Sequence, residues 1–249
     1  MFQSPSLDLS GLKRSMSRSK GHKPTDSASK EVDTVSPATK TAVALEYASL
    51  RHASHCPLGV YVVPSIESLL VWDAVLFVHQ GYYSDAVLKF RLTFPRNYPE
   101  RPPVVQFVTD VFHPLVAQDG IFNLAPRFRP WRPKEHHVFD VLYWVKAAFK
   151  KNALDGLEEG DCLNREAYRL YHDSTASFAA LATQTASLSQ SSSALYDRDH
   201  PSMSGASRGG ITFREMKPSQ IQDAREKLGL RDWAAESQDK PAEGQPTSH

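Results

Sequence analysis

Leu88-Lys89-Phe90-Arg91-Leu92-Thr93-Phe94 alternates strictly between apolar and polar side chains, and Pro95 stops it. A period of two puts every apolar residue on one face of an extended chain, so this segment predicts a half-buried strand. Three more strands are readable around it. Val60-Tyr61-Val62-Val63 is short and β-branched, and Val104 to Val108 starts after Pro102-Pro103. Leu69 to Phe77 is largely apolar, which predicts burial on both faces. Gly81-Tyr82-Tyr83-Ser84 reads as a turn. Four strands in succession with short turns predict an antiparallel meander.

Helices flank the meander. One is expected over about 39–53, with Val43, Tyr47 and Leu50 at helical spacing and Pro57 and Gly59 as breakers. Val138, Val141, Leu142, Val145 and Phe149 form a second apolar stripe, closed by Lys150 and Lys151 where cations suit a helix C-terminus. Two more helices are expected over Asn164 to Tyr171 and Ser174 to about Ser189, the latter with Phe178, Leu181, Thr185 and Leu188 on one face. Helix, four strands, helices is the order of an α+β domain, with helices packed on a sheet over residues 39–190.

Composition bounds the rest. A chain of 249 residues, 41% of them hydrophobic, has room for one domain with extensions. A net charge of +1 leaves no electrostatic footprint for nucleic acid. Cys56 and Cys162 lack metal or disulfide-framework spacing and fit a reducing compartment. No apolar run reaches the roughly 18 residues of a membrane span. Met1-Phe2-Gln3-Ser4-Pro5 opens no secretory signal, so a cytoplasmic location is expected.

Residues 1–38 are rich in Ser, Lys, Thr and Pro and are expected to be disordered, as are residues 236–249. Ser15, Ser17 and Ser19 lie among Lys13, Arg14, Arg18 and Lys20, a basophilic phosphorylation pattern or an ordinary polar tail. Between them, residues 191–235 form a tail that follows a Gln190-Ser191-Ser192-Ser193 linker. Gly210-Ile211-Thr212-Phe213 is strand-like, and Ser219 to Gln222 has the form of a capping box. Ile221, Ala224, Arg225 and Leu228 follow, and Gly229 suits a left-handed helix stop. A short isolated helix is marginal in water, so this one is expected to dock on its own domain or on a partner through those four residues.

One set of motifs speaks to chemistry. Tyr98-Pro99-Glu100-Arg101-Pro102-Pro103, Phe112-His113-Pro114-Leu115, Gly120, Asn123-Leu124 and Trp131-Arg132-Pro133 together resemble the core of ubiquitin-conjugating (UBC) enzymes. That family's pattern runs YPxxPP, HPN, glycine, Cys-Leu and Trp-x-Pro, with the nucleophilic cysteine ten residues after the histidine. Asn123 stands there in this chain, and an amide cannot carry a thioester. Leu115 stands where the family has the HPN asparagine, whose amide helps hold the reacting geometry. The resemblance thus implies no catalytic residue, while Tyr98, Pro99, Pro102, Pro103, His113, Pro114, Trp131 and Pro133 keep the fold motif. It also implies a cis bond at Tyr98-Pro99.

Cys56 and Cys162 have no assured base beside them and read as structural thiols. Glu100 and Lys134 stand where active enzymes present apolar residues to RING-type ligases, and desolvating charge there disfavours that surface. His136-His137 beside Glu135 point different ways on a helix and read as a polar helix start, not a metal site. No cofactor is implied.

A closer resemblance is to the fused-toes family, also called Akt-interacting protein or crossbronx, over about residues 42–230. It rests on Gly59-Val60-Tyr61-Val62-Val63-Pro64-Ser65, Leu70-Val71-Trp72, Gly81-Tyr82-Tyr83, Val111-Phe112-His113-Pro114-Leu115-Val116 and Asp223-Ala224-Arg225-Glu226-Lys227. The N-terminal arm and the 117–122 loop depart from it. Membership implies a non-catalytic adaptor that binds a Hook-type coiled-coil protein and an FHIP-type subunit. Such complexes act in dynein-driven transport of endosomes and vesicles, which would place the chain peripherally on those membranes. It further implies an Akt-type kinase as a partner. The alternative is a UBC variant that binds ubiquitin or assists an active conjugating enzyme.

Overall fold

The computed structural model describes residues 35–196 and 210–229. Its strands are β1 (Val60–Pro64), β2 (Val71–Phe77), β3 (Val87–Thr93) and β4 (Val104–Phe107), antiparallel and adjacent in chain order. The meander read from the sequence is therefore present. The register sets Ala74 against Phe90 and Phe90 against Phe107. Leu88, Phe90 and Leu92 of β3 thus share the core face with Trp72, Ala74 and Leu76 of β2, all buried. Lys89 and Arg91 share the outer face with Val75 and Asp73.

Helix α1 (Pro37–Ser49) opens on Ser36, whose hydroxyl accepts from the Thr39 amide at 3.0 Å, with Pro37 at the first helical position. Helical structure therefore begins inside the last residues assigned to the disordered arm. Ser15, Ser17 and Ser19 lie outside the described residues, as do residues 236–249. The helix stops at Ser49, well before the breakers Pro57 and Gly59. Thr39 Oγ1 donates to Arg96 O at 2.8 Å and ties this helix to the turn after β3.

Three elements follow β4: α2 (Ala125–Phe128), α3 (Val138–Ala148) and α4 (Lys151–Asp155). The stripe expected on α3 faces the core, with Val138, Val141, Leu142 and Val145 fully buried. Helices α5 (Arg165–Asp173) and α6 (Thr175–Ser189) pack on each other. The face expected on α6 is met at Phe178 and Thr185 but needs correction elsewhere: Leu188 is 56% exposed, and Ala182, Ala186 and Ser189 turn inward in place of Leu181 and Leu188. Small side chains let that face approach closely, while Leu181 and Leu188 line a cleft.

The tail departs further from expectation. The serine linker contains a helical turn, α7 (Ser192–Leu195), because the Ser191 hydroxyl caps it through the Ala194 amide. Gly210–Phe213 forms no strand. It meets the sheet by side-chain packing, with the Phe213 ring 6.3 Å from that of Phe77. Helix α8 (Pro218–Lys227) is capped two residues before the expected cap. Pro218 presets the first helical φ, so Lys217 becomes the cap, and its amide donates to Gln220 Oε1 at 3.1 Å. Ser219 and Gln222 then lie inside the helix and form no box. Gly229 does adopt the left-handed stop, with φ 64°.

The 117–122 loop folds back on β4, where the Phe107 amide donates to Gly120 O at 2.8 Å. Gly120 has φ 83°, and a Cβ there would collide with Phe107 O. Both the torsion and the space require glycine. Gly120→Ala is expected to destabilise the fold by about 3 kcal/mol, through left-handed strain plus a displaced backbone. Thermal unfolding checks it, and an unchanged midpoint would mean that the loop swings clear.

Candidate functional site

Several of the motif residues are held by identifiable contacts. The Tyr98-Pro99 bond is cis, as the resemblance implied, and Arg129-Pro130 is cis as well. The Trp131 indole N–H donates to Pro99 O at 2.8 Å and so pins the loop before α3 to the loop before β4. Pro103 is buried at the entry to β4, and Pro102 and Pro133 are half-buried. Glu100 and Lys134 are exposed, as expected of charge.

Sequence reasoning missed the residue that joins these loops to α1. Tyr98 Oη donates to Glu46 Oε1 at 2.9 Å, and the Val138 amide donates to Glu46 Oε2 at 3.1 Å. Glu46 thus caps α3 from another helix, where an anion suits the exposed amides. Its Oε1 also lies 3.0 Å from His137 Nδ1. The available signal was an acid at helical spacing from Val43 on the buried side of α1. His137 is the N-cap of α3, and its amide donates to Asp140 Oδ2 at 2.9 Å. Among the described residues no cluster of His, Cys, Asp and Glu could hold a metal ion.

His113 is fully buried beneath this frame, its ring 4.8 Å from that of Phe149 and 5.7 Å from that of Tyr83. The Leu115 amide donates to Nδ1 at 3.0 Å, so that nitrogen is the acceptor. Nε2 therefore carries the proton and donates to Ala148 O at 3.1 Å. Burial pushes the imidazole down to about 4, and the Ala148 bond opposes that shift. Pro114 is buried beside it, and the Leu115 side chain is 0% exposed within the core cluster.

Asn123 is half-buried, and both atoms of its amide bond the backbone. Nδ2 donates to Asp161 O at 2.8 Å, and Oδ1 accepts from the Ala125 amide at 2.9 Å, which fixes the start of α2. Asp161 belongs to a 3-10 turn, Glu159–Asp161, and lies 3.5 Å from the Arg129 guanidinium. Asn123 is therefore a clasp between two loops, and an amide offers no thiolate.

The nearest thiol in sequence to that turn is Cys162, buried and donating to Glu158 O at 3.3 Å. Burial first, then Asp161 and Glu159, push its pKa up to about 11, so it stays protonated near neutrality. Burial also raises Cys56. A cleft of about 570 Å³ opens between Asp110–Phe112, Val116–Gln118 and helices α5 and α6, but neither Asn123 nor Leu115 lines it.

The tail residues stand apart. Ile221 is 44% exposed and Leu228 72% exposed, Arg225 is exposed, Ala224 is half-buried, and α8 buries none of its residues. The structure thus gathers the conjugation motif and leaves Ile221, Ala224, Arg225 and Leu228 on a separate, open helix. No described helix is long and apolar enough to cross a membrane.

The family model described as ubiquitin-conjugating enzyme matches residues 43–186, more than half of the chain. A crossbronx homologue from Anopheles gambiae is 34% identical over 142 residues, covering 56% of this chain and 61% of its own length. An AKT-interacting protein from Danio rerio is 33% identical over 175 residues, covering 68% of this chain and 55% of its own. Its counterpart in Rattus norvegicus is 31% identical over 238 residues, covering 87% of this chain and 78% of its own. The chain spans 61% and 55% of the length of the first two of these relatives, under two thirds of either.

Proposed function

The chain belongs to the ubiquitin-conjugating enzyme family, and within it to the AKT-interacting protein and crossbronx group; from that membership we propose a non-catalytic UBC-fold adaptor. In this reading residues 39–190 are the UBC-like domain and residues 191–235 a tail that reaches a partner. The complex would be of the Hook and FHIP type, linking endosomes or vesicles to dynein on microtubules.

The observation that carries the non-catalytic half is Asn123, whose amide bonds Asp161 O and the Ala125 N–H and holds no thiol that could carry a thioester. Leu115 supports it, since a side chain sealed in the core reaches no substrate. Tyr98, Pro99, Pro102, Pro103, His113, Pro114, Trp131 and Pro133 then serve as frame. The adaptor half rests on α8, which holds Ile221 and Leu228 out in solvent and fits the helix-in-groove mode of recognition. An AKT-type kinase is a further candidate partner, since the relatives' name states that they interact with AKT.

The test is recovery of partners with the tagged full-length protein, followed by identification. A Hook-type coiled-coil protein is expected. Ile221→Asp with Leu228→Asp should weaken that binding about 100-fold, as for two apolar anchors of an interface, while the melting curve stays in place. Undiminished binding would remove α8 from the interface. Recovery of ubiquitin or an active conjugating enzyme instead would favour a role beside the catalytic enzymes.

A further inference from the structure

Helices cover one face of the four-stranded sheet, and the opposite face would be expected to be wet. Tyr61 and Val104 on that face are exposed, but its centre is not. Val75, at the centre of the outer face, is 2% exposed, and Asp73 beside it is 8% exposed. The described part of the cover is the tail. Gly210 lies over Asp73, close enough that a Cβ on it would come within 2.6 Å of Asp73 Oδ2. Three residues on, Phe213 packs edge-on against Phe77, with Lys89 Nζ 5.2 Å from its ring centre. Lys89 also donates to Leu195 O at 2.7 Å, so α7 joins the same cover.

Two features mark this contact as that of a ligand on a site. The strap adds no strand to the sheet, and it rests on a close approach at Gly210 and an aromatic contact at Phe213. Beneath it, Asp73 Oδ2 is fully buried with no hydrogen-bond partner among the described residues, while Oδ1 accepts from Arg91 Nε at 3.0 Å. A buried carboxylate oxygen without a donor is an unmet demand that the resident segment leaves open. A segment that brought an N–H or hydroxyl there would hold an advantage over the strap.

We propose that the outer face around Asp73, Phe77 and Lys89 is a docking site for an extended segment carrying a glycine and, three residues later, an aromatic. Residues 210–213 are its resident occupant in cis. The site is a mixed one: an acidic oxygen at one end, an aromatic floor at the other, and a cation above the aromatic position. A side chain at the first position is disfavoured, because it would have to push the Asp73 carboxylate aside. The strap competes with any trans ligand in proportion to the time it is seated. A site closed about nine-tenths of the time shows a competitor about tenfold weaker affinity.

A labelled synthetic peptide of residues 208–216, titrated into the full chain, tests this. Gly210→Val with Phe213→Ala in the full chain should unseat the strap and bind the peptide about tenfold or more tightly than the unaltered chain does. A peptide bearing the same two changes should not bind. Equal affinity of the two proteins for the unaltered peptide would overturn the proposal, and so would no binding to a variant that melts normally. Self-association of the unaltered chain that excess peptide dissolves would reassign the occupant to a second copy and overturn occupancy in cis. Should the variant not fold, excess peptide added to the unaltered chain should shift the amide resonances of Asp73, Phe77 and Lys89. Unmoved resonances at millimolar peptide would show that the strap is not displaceable. No coiled-coil partner enters the experiment, so its outcome is independent of the adaptor reading.

Discussion

Leu115→Asn is expected to destabilise the protein by about 4 kcal/mol, although it restores the residue of an HPN motif. Leu115 is 0% exposed inside the core cluster. Its backbone is engaged on both sides, the amide with His113 Nδ1 and the carbonyl with the Asn123 amide. Only the side chain is free to change, and it is surrounded by apolar neighbours. Removing a large buried aliphatic group costs about 2–5 kcal/mol. An amide left there without a partner costs about 1–3 kcal/mol more, partly relieved as the pocket relaxes. Against the 5–15 kcal/mol of total stability usual for a domain, that is a large loss. Urea unfolding at pH 7 reads it directly. A loss below about 1 kcal/mol would mean that the new amide finds a donor and an acceptor, and that the motif position is still open to polar chemistry.

Acid is expected to remove about 3 kcal/mol of stability through His113 alone. Its imidazole titrates near 4 in the folded chain against 6.5 when free, chiefly because burial disfavours the charged form. Between those values the unfolded chain binds the proton and the folded chain does not. The stabilisation is therefore complete above about 6.5 and is lost as pH falls toward 4. Charging the ring would also place a proton on Nδ1, opposite the Leu115 amide that now donates to it. Denaturant unfolding across pH 7 to 4 measures the slope. His113→Gln should flatten it even where its stability at pH 7 is lower. A slope unchanged by that substitution would place the acid sensitivity elsewhere.

The fold was readable because its strongest signals are local. Alternation in β3, the apolar run of β2 and the α3 stripe each name a buried face without reference to anything distant. The contacts that assemble the site are not local. Glu46 reaches Tyr98 and Val138, and Asn123 reaches Asp161, across separations that no spacing rule encodes. The motif resemblance placed Asn123 and Leu115 at the two chemical positions. It could not say that the amide had become a clasp or that the leucine had joined the core. The tail was read least well. Gly210–Phe213 has strand composition, yet its partners are a carboxylate and two side chains on a finished sheet, so packing overrode propensity. At α8 the competition was between Ser219 and Pro218, and the preset torsion of proline decided the first turn.

The most direct test of a conjugating frame without its chemistry is thioester charging. The full-length protein is incubated with ubiquitin-activating enzyme, ubiquitin and ATP, and then resolved without reductant. No reducible ubiquitin adduct is expected. Asn123→Cys should charge poorly, because position 123 is half-buried and a thiol there keeps neither of the amide's bonds to Asp161 O and the Ala125 N–H. An adduct on the unaltered protein that reductant removes and Cys162→Ser abolishes would contradict the central claim, and would make Cys162 the carrier that Asn123 is not.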